Sequence, residues 1–425
     1  MDPLADARAV LATGPVCDPC LGRPFAALSH GLTNGARGRA LRTTLALVDD
    51  EPFRTTPPDD CWVCAGHSGR YDEYAERALD AVDAEFDSYQ VGSRVPPLVE
   101  ENERLLREDA DLDPEAGEGL GTDLNREVGI RFGEASGTEV EFERPDVQIL
   151  VDMTDDRVEA TVNSAFVYGR YRKLERGIPQ TRWPCGDCDG TGRTAAGPCE
   201  TCGGSGLRYE ESVEQLTAPV VEEVMDGVDA VFHGAGREDV DARMLGTGRP
   251  FVVEVKEPRR RTVDLDRLAA DVNAFAEGKV EVEGLRLAAH GMVERVKTLD
   301  ASKTYRAEVA FESDVAAADL DAALDDLRGA RIDQYTPHRV DHRRASTTRR
   351  RTVYDVRGEL ADPRHATVEI HGEGGLYVKE LVSGDGGRTD PSLAGLLGVE
   401  ARVTALDVVA VEGEDGPFED EAYFR

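Results

Sequence analysis

The sequence predicts an α+β protein built on a mixed, mainly antiparallel sheet. Two patterns in the second half of the chain support this prediction. Apolar runs typical of strands occur at 251–255, 280–287, 305–311, 367–371 and 403–409. Apolar residues also recur at helical spacing over 263–277 and 315–328. Strand runs separated by a few helices are typical of a long sheet that is covered by helices.

The acidic composition makes the net charge a poor guide to binding partners. The chain has 425 residues, enough for two or three domains, and a net charge of −34 with a pI of about 4.6. Only six of its 50 basic residues are lysines. This acidic excess is typical of adaptation to high intracellular salt, where a Debye length of about 3 Å screens repulsion between carboxylates. The net charge therefore bears on solubility rather than on binding.

Neither a membrane helix nor a secretion signal is indicated by the sequence. No run reaches 18 apolar residues, and the first residues lack the basic-then-apolar pattern of a signal peptide. We therefore expect a cytoplasmic protein with no membrane partner, and we expect it to be a monomer.

All eight cysteines fall in Cys-x-x-Cys pairs, and two such pairs complete a tetrahedral Zn²⁺ site. The pairs Cys185/Cys188 and Cys199/Cys202 lie close together among glycines and predict a compact zinc ribbon at 185–206. The pairs Cys17/Cys20 and Cys61/Cys64 are 40 residues apart and predict a small metal-binding unit at 1–67. We expect one or two structural zinc sites. Disulfides are the alternative, which is less suited to a cytosolic chain.

The segment 68–170 is predicted to be a helix followed by strands. Apolar residues recur at helical spacing from Tyr71 to Phe86, and strands are predicted at 147–151 and 158–162. Gly117, Gly119 and Gly121 in the acidic stretch 100–140 indicate loops. This layout resembles a THUMP domain, an RNA-binding module of several tRNA-modifying enzymes.

Basic residues cluster locally despite the acidic composition. Aromatic and cationic residues alternate in the link 166–183, and six arginines occur with one acid between residues 339 and 351. Such local reversals of charge indicate phosphate contact. A solvated or internally paired basic surface is the alternative. The residues that we expect to bind RNA are Arg170, Arg172, Lys173, Arg339, Arg343 and Arg344.

Three loops in the second half of the chain carry the candidate chemistry. In the first, His233–Arg243, Asp239 follows a glycine turn and precedes a strand. The second loop is Lys303–Val309, and the third is Gly374–Gly384. Their residues and order resemble those of pseudouridine synthases. With the cysteines and the THUMP-like segment, the whole chain resembles the archaeal and eukaryotic tRNA pseudouridine synthase that acts on the TΨC arm.

The resemblance implies a catalytic domain of pseudouridine synthase type at 171–425, with the zinc ribbon as an insertion. It also implies that uridine is isomerised to pseudouridine at tRNA position 54, position 55 or both, with tRNA as partner and no organic cofactor. Asp239 would be the reacting carboxylate, as nucleophile or as proton acceptor. Asp241, two residues further on, is the alternative.

The same resemblance implies roles for residues around that carboxylate. Lys379 or Arg237 would keep it ionised, because a nearby cation lowers the pKa of a carboxylic acid. Tyr305 would stack on the uracil after it has left the base stack. Tyr377 and Leu381 would line the pocket.

Two other classes of protein share some of these features. A THUMP methyltransferase or thiouridine synthase would need a nucleotide-binding glycine loop, whereas Gly374-Gly375 runs into the strand-like sequence Leu-Tyr-Val. A non-catalytic zinc-ribbon and THUMP RNA-binding module, or a protein similar to the zinc region of J-domain co-chaperones, would explain the cysteines and arginines. It would leave the Asp239 loop unexplained.

Overall fold

The computed structural model describes residues 2–236, 238–338, 347–412 and 419–425. The chain divides into two compact units. The N-terminal unit comprises Met1–Ser164 with Glu257–Arg261, and the C-terminal unit comprises Ala165–Lys256 with Thr262–Arg425. The expected domain boundary between residues 170 and 171 falls inside a strand, Ala165–Lys173.

The N-terminal unit begins with three helices around the first cysteine set. They are α1 (Pro3–Ala12), α2 (Asp18–Gly22) and α3 (Asn34–Val48). The first set of cysteines is buried with apolar side chains in the same core. Helices α2 and α3 contact each other backbone to backbone, because a Cβ atom on Gly38 would lie only 1.8 Å from the Asp18 carbonyl oxygen.

The second part of this unit is a four-stranded sheet with three helices. The elements are α4 (Tyr71–Asp80), β1 (Ser88–Arg94), α5 (Pro97–Asp109), α6 (Leu120–Ser136), β2 (Glu139–Val140), β3 (Val147–Asp152) and β4 (Arg157–Val162). The sheet order is β2-β1-β3-β4, with β1 parallel to both neighbours and β3 antiparallel to β4. The strands predicted at 147–151 and 158–162 are confirmed.

Two predictions for this segment need correction. The helix expected to reach Phe86 ends at Asp80, although Val82 and Phe86 still pack against the same core. The acidic stretch 100–140 contains most of α5 and all of α6. Gly117 lies in the loop between these helices, as expected, whereas Gly121 lies in the first turn of α6. Gly119 is the N-terminal cap of α6, so this glycine marks the start of a helix rather than a loop.

The C-terminal unit is built on one long sheet. Its elements are β5 (Ala165–Lys173), β6 (Arg193–Thr194), β7 (Gly197–Pro198), α7 (Val213–Met225), β8 (Asp229–Gly234), β9 (Arg243–Lys256), α8 (Leu265–Phe275), β10 (Val280–Ala288), α9 (Gly291–Thr298), β11 (Ser302–Phe311), α10 (Ala317–Leu327), β12 (Arg331–Tyr335), β13 (Thr348–Asp362), β14 (His365–Gly372), α11 (Val378–Ser383), β15 (Thr389–Asp390), α12 (Leu393–Leu397) and β16 (Ala401–Glu412).

The strand order of this sheet is β10-β5-β9-β16-β11-β14-β13-β12-β15, and β8 pairs with the outer part of β9. Among the described strands of the sheet, only the short pairing of β9 with β16 is parallel. The α+β fold class with a mixed, mainly antiparallel sheet is therefore confirmed.

Local signals in the sequence account for several boundaries of this unit. Ser212 caps α7, since its hydroxyl accepts a hydrogen bond from the Gln215 amide at 3.1 Å. In contrast, the strand-like sequence after Gly374-Gly375 is a turn followed by α11. The apolar residues of this segment belong to a helix, so the prediction of a strand from their spacing was wrong.

No helix among residues 2–236, 238–338, 347–412 and 419–425 is long and apolar enough to cross a membrane.

Replacing Gly38 by alanine tests the close contact of α2 with α3. The added methyl group must push the two backbones apart, so we expect Gly38→Ala to lower the free energy of unfolding by at least about 1–3 kcal/mol. Gly35→Ala is the matched control on the same helix, because its nearest neighbours would lie 3.8 Å away. Thermal denaturation of both variants measures the difference, and equal melting temperatures would contradict the backbone contact.

Candidate active site and metal centres

Asp239 lies on a loop whose main chain accepts hydrogen bonds from two cationic side chains. The loop follows β8 and precedes β9, and of these two strands only the one after the loop was predicted from the sequence. The carbonyl oxygens of residues 239 and 240 each accept a hydrogen bond from Lys173 Nζ at 3.3 Å. Arg176 donates to the Asp241 carbonyl at 2.8 Å. Three successive carbonyl groups are thereby fixed, which leaves the side chain of Asp239 directed by a rigid backbone.

Lys379 is the cationic partner of Asp239. Its ammonium nitrogen lies 3.2 Å from Asp239 Oδ2 and 2.9 Å from Asp241 Oδ2. The side chain of Asp239 is 37% exposed and that of Asp241 is 71% exposed. Lys379 belongs to the first turn of α11. The start of this helix is held by the buried Gln334 amide, which hydrogen-bonds both the amide and the carbonyl of Tyr377 at 2.9 Å.

These residues face one cleft with a volume of about 420 Å³. Its lining combines acidic, basic, aromatic and aliphatic side chains. Lining residues are Trp183, Glu238, Asp239, Val240, Asp241, Ala242, Arg249, Lys303, Tyr305, Gly375, Leu376, Tyr377, Val378, Lys379, Leu406 and Val408. Tyr305 from β11 and Tyr377 therefore lie at the cleft that contains Asp239, as the resemblance implied.

Leu381 does not line this cleft. It is buried in the hydrophobic core of the C-terminal unit, and Leu376 and Val378 take the expected position at the cleft wall. The physical reason is the helical conformation of α11, whose Leu381 amide donates to the Tyr377 carbonyl at 2.9 Å and turns this side chain inward.

A buried ionic cluster lies directly beneath the Asp239 loop. The carboxylate of Glu238 is 3.0 Å from Arg249 Nε and 3.5 Å from Lys173 Nζ. It also accepts a hydrogen bond from the Tyr171 hydroxyl at 2.9 Å, and Gln180 donates to that hydroxyl at 2.9 Å. All five side chains are buried. Charges at this depth are retained only when they are paired, so the cluster fixes the residue next to Asp239.

Lys173 corrects one expectation about RNA contact. Its ammonium is buried, and besides the loop carbonyls it donates to the Ile178 carbonyl at 2.7 Å. Burial lowers the pKa of Lys173, and the neighbouring Glu238 carboxylate opposes this shift. A group enclosed in this way cannot reach a phosphate. Lys173 therefore belongs to the support of the loop and not to an RNA-binding surface.

The other basic residues expected to bind RNA differ in their surroundings. Arg170 is half-buried and donates to the carbonyls of Thr247, Gly248 and Val411. Arg172 is half-buried and pairs with Glu281 at 2.9 Å. Both are thus engaged within the C-terminal unit. Arg237, Arg339, Arg343 and Arg344 lie outside the described residues.

Burial and charge shift the pKa of two groups in the cleft. Burial raises the pKa of Tyr305 to about 12, with opposing contributions from Arg249, which lowers it, and Asp239, which raises it. The phenol is therefore protonated at neutral pH. Burial lowers the pKa of Lys303 to about 8, Arg249 lowers it further, and Asp300 opposes the change. Lys303 thus changes charge just above neutral pH.

Sequence reasoning missed four residues at this site: Glu238, Arg249, Lys303 and Trp183. Lys303 lies two residues before Tyr305 on a strand, so alternation of side chains predicts that both face the same side. Trp183 lies two residues before Cys185, the first cysteine of the second set, and its large aromatic side chain could have indicated a binding role. The pairing of Glu238 with Arg249 has no signature in the sequence, because the two residues meet only through the turn between β8 and β9.

The two cysteine sets each gather four sulfur atoms within 4.8 Å of one another. All eight cysteines are free, and the sulfur–sulfur distances of 3.8 Å for Cys17–Cys64 and 3.8 Å for Cys188–Cys202 are well above the length of a disulfide bond, about 2.0 Å. They match the separation of about 3.8 Å expected between ligands at the corners of a zinc–sulfur tetrahedron. The chemistry of these donor sets therefore fits a tetrahedral thiolate-binding metal.

Hydrogen bonds to sulfur support the same interpretation. Amides of Gly192 and Gly206 point at Cys188 Sγ and Cys202 Sγ, each at 3.3 Å. In the N-terminal unit, the buried Arg23 donates to Cys20 Sγ at 2.9 Å. Donors of this kind stabilise thiolates, which are the form that binds metal.

Comparison with known proteins first defines the class of enzyme. The chain is 66% identical to the "tRNA pseudouridine synthase Pus10" of Halorubrum lacusprofundi over 426 residues, which cover 100% of both chains. It is 43% identical to the protein of the same name from Methanothrix thermoacetophila, over 97% of this chain and 95% of the relative. The class is that of the tRNA pseudouridine synthases.

The particular family follows from two matches within the chain. Residues 166–412 match the family described as "Pus10, C-terminal", and residues 74–152 match "Pus10 THUMP domain, archaeal". The chain belongs to the Pus10 family. The THUMP domain and the pseudouridine synthase resemblance inferred from the sequence are thereby confirmed. A solved Cbf5–Nop10–Gar1 complex is also similar over 48% of this chain and 46% of its own, with 17% identity and a TM-score of 0.30.

Replacing Lys173 tests whether the buried cluster supports the loop. Lys173→Met removes a buried ammonium that pairs with Glu238 and donates to three carbonyl groups, so we expect a loss of about 3–5 kcal/mol in the free energy of unfolding. Arg172→Ala is the matched control on the next residue, where a half-exposed ion pair contributes about 0–1 kcal/mol. Thermal denaturation should separate the two variants clearly. Similar melting temperatures would show that the ammonium is dispensable.

Proposed function

We propose that this chain isomerises uridine to pseudouridine in the TΨC loop of tRNA, at position 54, position 55 or both, with Asp239 as the reacting carboxylate. One observation carries the proposal. A partly exposed carboxylate on a fixed loop faces a cleft, 3.2 Å from an ammonium group, together with the protonated phenol ring of Tyr305. The names of the relatives support the choice of tRNA as substrate.

The chemistry needs a carboxylate that is ionised and a base that is accessible. Isomerisation breaks the bond between N1 of uracil and C1′ of the ribose, and it forms a new bond from C5 to C1′. Asp239 would act either by attack on the substrate or by removal of a proton, and in both cases it must be negatively charged. Lys379 is placed to pair with that negative charge, because its ammonium nitrogen lies 3.2 Å from Asp239 Oδ2.

Tyr305 supplies the apolar surface for the uracil. The target base must leave its stack to reach the cleft, which costs a few kcal/mol. A stacking ring in the cleft recovers about 1–3 kcal/mol of that cost. Because its pKa of about 12 keeps Tyr305 neutral, the ring adds no negative charge beside Asp239. Leu406 and Val408 from β16 extend the apolar lining.

Asp241 is the competing candidate because it also contacts Lys379. Its side chain is 71% exposed, almost twice the exposure of Asp239. A solvated carboxylate is less firmly oriented than one at the cleft wall, which favours Asp239 as the reacting group. Asp241 is then better suited to hold Lys379 in position.

Carbodiimide labelling of tRNA tests this assignment. An unmodified tRNA transcript is incubated with the purified protein at high salt, and labelled pseudouridines are mapped by primer extension. We expect product at position 54, position 55 or both with the wild type. Asp239→Asn should lower the rate by at least about 100-fold, because the variant keeps the shape but loses the carboxylate.

Asp241→Asn is the matched variant in this assay and should keep detectable turnover. The reverse order of the two variants would assign the reaction to Asp241. Binding of tRNA without any product, even with the wild type, would instead support a non-catalytic RNA-binding module.

We also propose that both cysteine sets hold structural zinc. Two four-sulfur sites predict about two zinc ions per chain by elemental mass spectrometry, and closed sites of this kind contribute to folding rather than to chemistry. Cys17→Ser and Cys185→Ser should each remove about one ion. A metal-free wild type that is still fully folded would contradict the proposal.

Lys303 gives a prediction about pH. Its pKa of about 8 means that the ammonium is charged below this pH and neutral above it. We expect the affinity for tRNA to fall by about fivefold between pH 7 and 9, the equivalent of one net hydrogen bond of about 1 kcal/mol. Lys303→Arg remains charged throughout, so its affinity should not change over the same range. Filter binding measures the affinity of both proteins for tRNA. The same change of affinity with pH in the wild type and in Lys303→Arg would show that Lys303 does not contact tRNA.

A further inference from the structure

The base of the zinc ribbon forms a short, well-tied stem. We define the ribbon stem as residues 182–184 and 207–209, the two segments that enter and leave the ribbon. Pro184 and Leu207 form an isolated β-bridge, and the Arg208 amide donates to the Trp183 carbonyl at 2.8 Å. One residue further out, the Cys185 amide donates to the Gly206 carbonyl at 2.8 Å. The second cysteine set therefore closes directly onto the stem.

The stem carries an aromatic pair with a cation beside it. The rings of Trp183 and Tyr209 meet edge to face, with centroids 5.6 Å apart and an interplanar angle of 75°. The guanidinium carbon of Arg208 is 6.0 Å from the Trp183 centroid and 5.8 Å from that of Tyr209. Trp183 is half-buried, whereas Arg208 is exposed.

Trp183 is placed at the cleft rather than in a core. It lines the same cleft as Asp239 and Tyr305. Among the described residues, it belongs to none of the hydrophobic clusters that form the interior of the C-terminal unit. The stem therefore presents an aromatic ring at the same cleft as Asp239 and Tyr305, where a planar ligand can meet it.

We propose that Trp183 stacks on an unpaired nucleobase of the substrate arm, and that the second zinc site serves to hold it there. This inference rests on the proposed function, because it takes an RNA substrate at the cleft as given. An indole ring offers a flat surface to any base, and the cation of Arg208 beside it suits the phosphate that accompanies that base. The ligand is thus a nucleotide of the substrate arm, either the target or one flanking it.

Steady-state kinetics of Trp183 variants on a tRNA transcript test the proposal. Trp183→Ala should raise KM by roughly 5- to 150-fold, the range for loss of one stacked base, and should change kcat much less. Trp183→Phe keeps an aromatic ring and should recover most of the affinity. Phe275→Ala, which removes an exposed ring from α8, is the control and should leave KM unchanged.

Further measurements distinguish base stacking from a merely structural role for Trp183. Zinc content and melting temperature should be the same in Trp183→Phe and the wild type. Binding of tRNA to Asp239→Asn should quench tryptophan fluorescence, and the double variant with Trp183→Phe should lose most of that quenching. Cys185→Ser should raise KM as Trp183→Ala does, because the metal-binding cysteine set no longer holds the two segments of the stem together.

Abasic nucleotides in the tRNA distinguish the two sources of the base. If Trp183 stacks on a flanking base, an abasic site at that nucleotide raises KM for the wild type, and Trp183→Ala adds no further loss. If no flanking position shows this coupling while quenching and the KM change persist, the stacked base is the target uracil.

An unchanged KM in Trp183→Ala, or quenching that survives Trp183→Phe, would overturn the inference while leaving the proposed function intact. Absence of product with the wild type would instead overturn the proposed function. The two failures are therefore distinguishable in the same assay.

Discussion

The site depends on one buried contact, the carboxylate of Glu238 between the guanidinium of Arg249 and the ammonium of Lys173. Each of these charges would cost several kcal/mol to bury alone, and they persist only because they compensate one another. Arg249 also donates to the Ala235 carbonyl at 2.6 Å, so the cluster holds both ends of the turn that leads to Asp239. Asp239 is thus positioned by the neighbour before it in the sequence.

The long sheet brings the partners of Asp239 to that position. The parallel pairing of β9 with β16 begins where the Asp239 loop ends, at Arg243 opposite Asp407. Leu406 and Val408, on either side of Asp407, therefore lie at the cleft. Strand β11 is the next neighbour of β16 and contributes Tyr305. Residues far apart in sequence converge because the central strands of the sheet are adjacent.

High intracellular salt weakens the long-range attraction between a basic site and RNA. The acidic composition predicts high intracellular salt, where screening over about 3 Å removes attraction between distant charges. Recognition then depends on direct contacts, which are screened much less when they are half-buried. Lys379, Lys303 and the rings of the cleft suit this regime better than a broad basic surface would.

Much of this arrangement was predictable from the sequence. The resemblance of the three loops to those of pseudouridine synthases implied that Asp239, Tyr305 and Lys379 would meet, and the cysteine spacing predicted both four-sulfur sets. Lys173 was assigned wrongly, because a lysine among arginines and aromatic residues gives no sign of its burial. Leu381 was assigned wrongly because its segment is helical.

Glu238 was passed over for a related reason. A buried acid is recognised only from its partners, and Arg249 and Lys173 lie 11 and 65 residues away in the sequence. Local sequence patterns predict turns and the buried faces of helices and strands. An ionic cluster forms only when distant strands come together in the sheet.

In the proposed function the buried charge of Glu238 positions Asp239 for reaction, and the single-turnover rate of Glu238→Gln at saturating tRNA measures this effect. This substitution keeps the shape of the side chain but leaves Arg249 and Lys173 without their common counterion. We expect the rate to fall by at least about tenfold while the affinity for tRNA stays close to that of the wild type, since misplacing a reacting group slows the chemical step. A wild-type rate in a correctly folded Glu238→Gln chain would show that the charge of Glu238 is not needed to position Asp239.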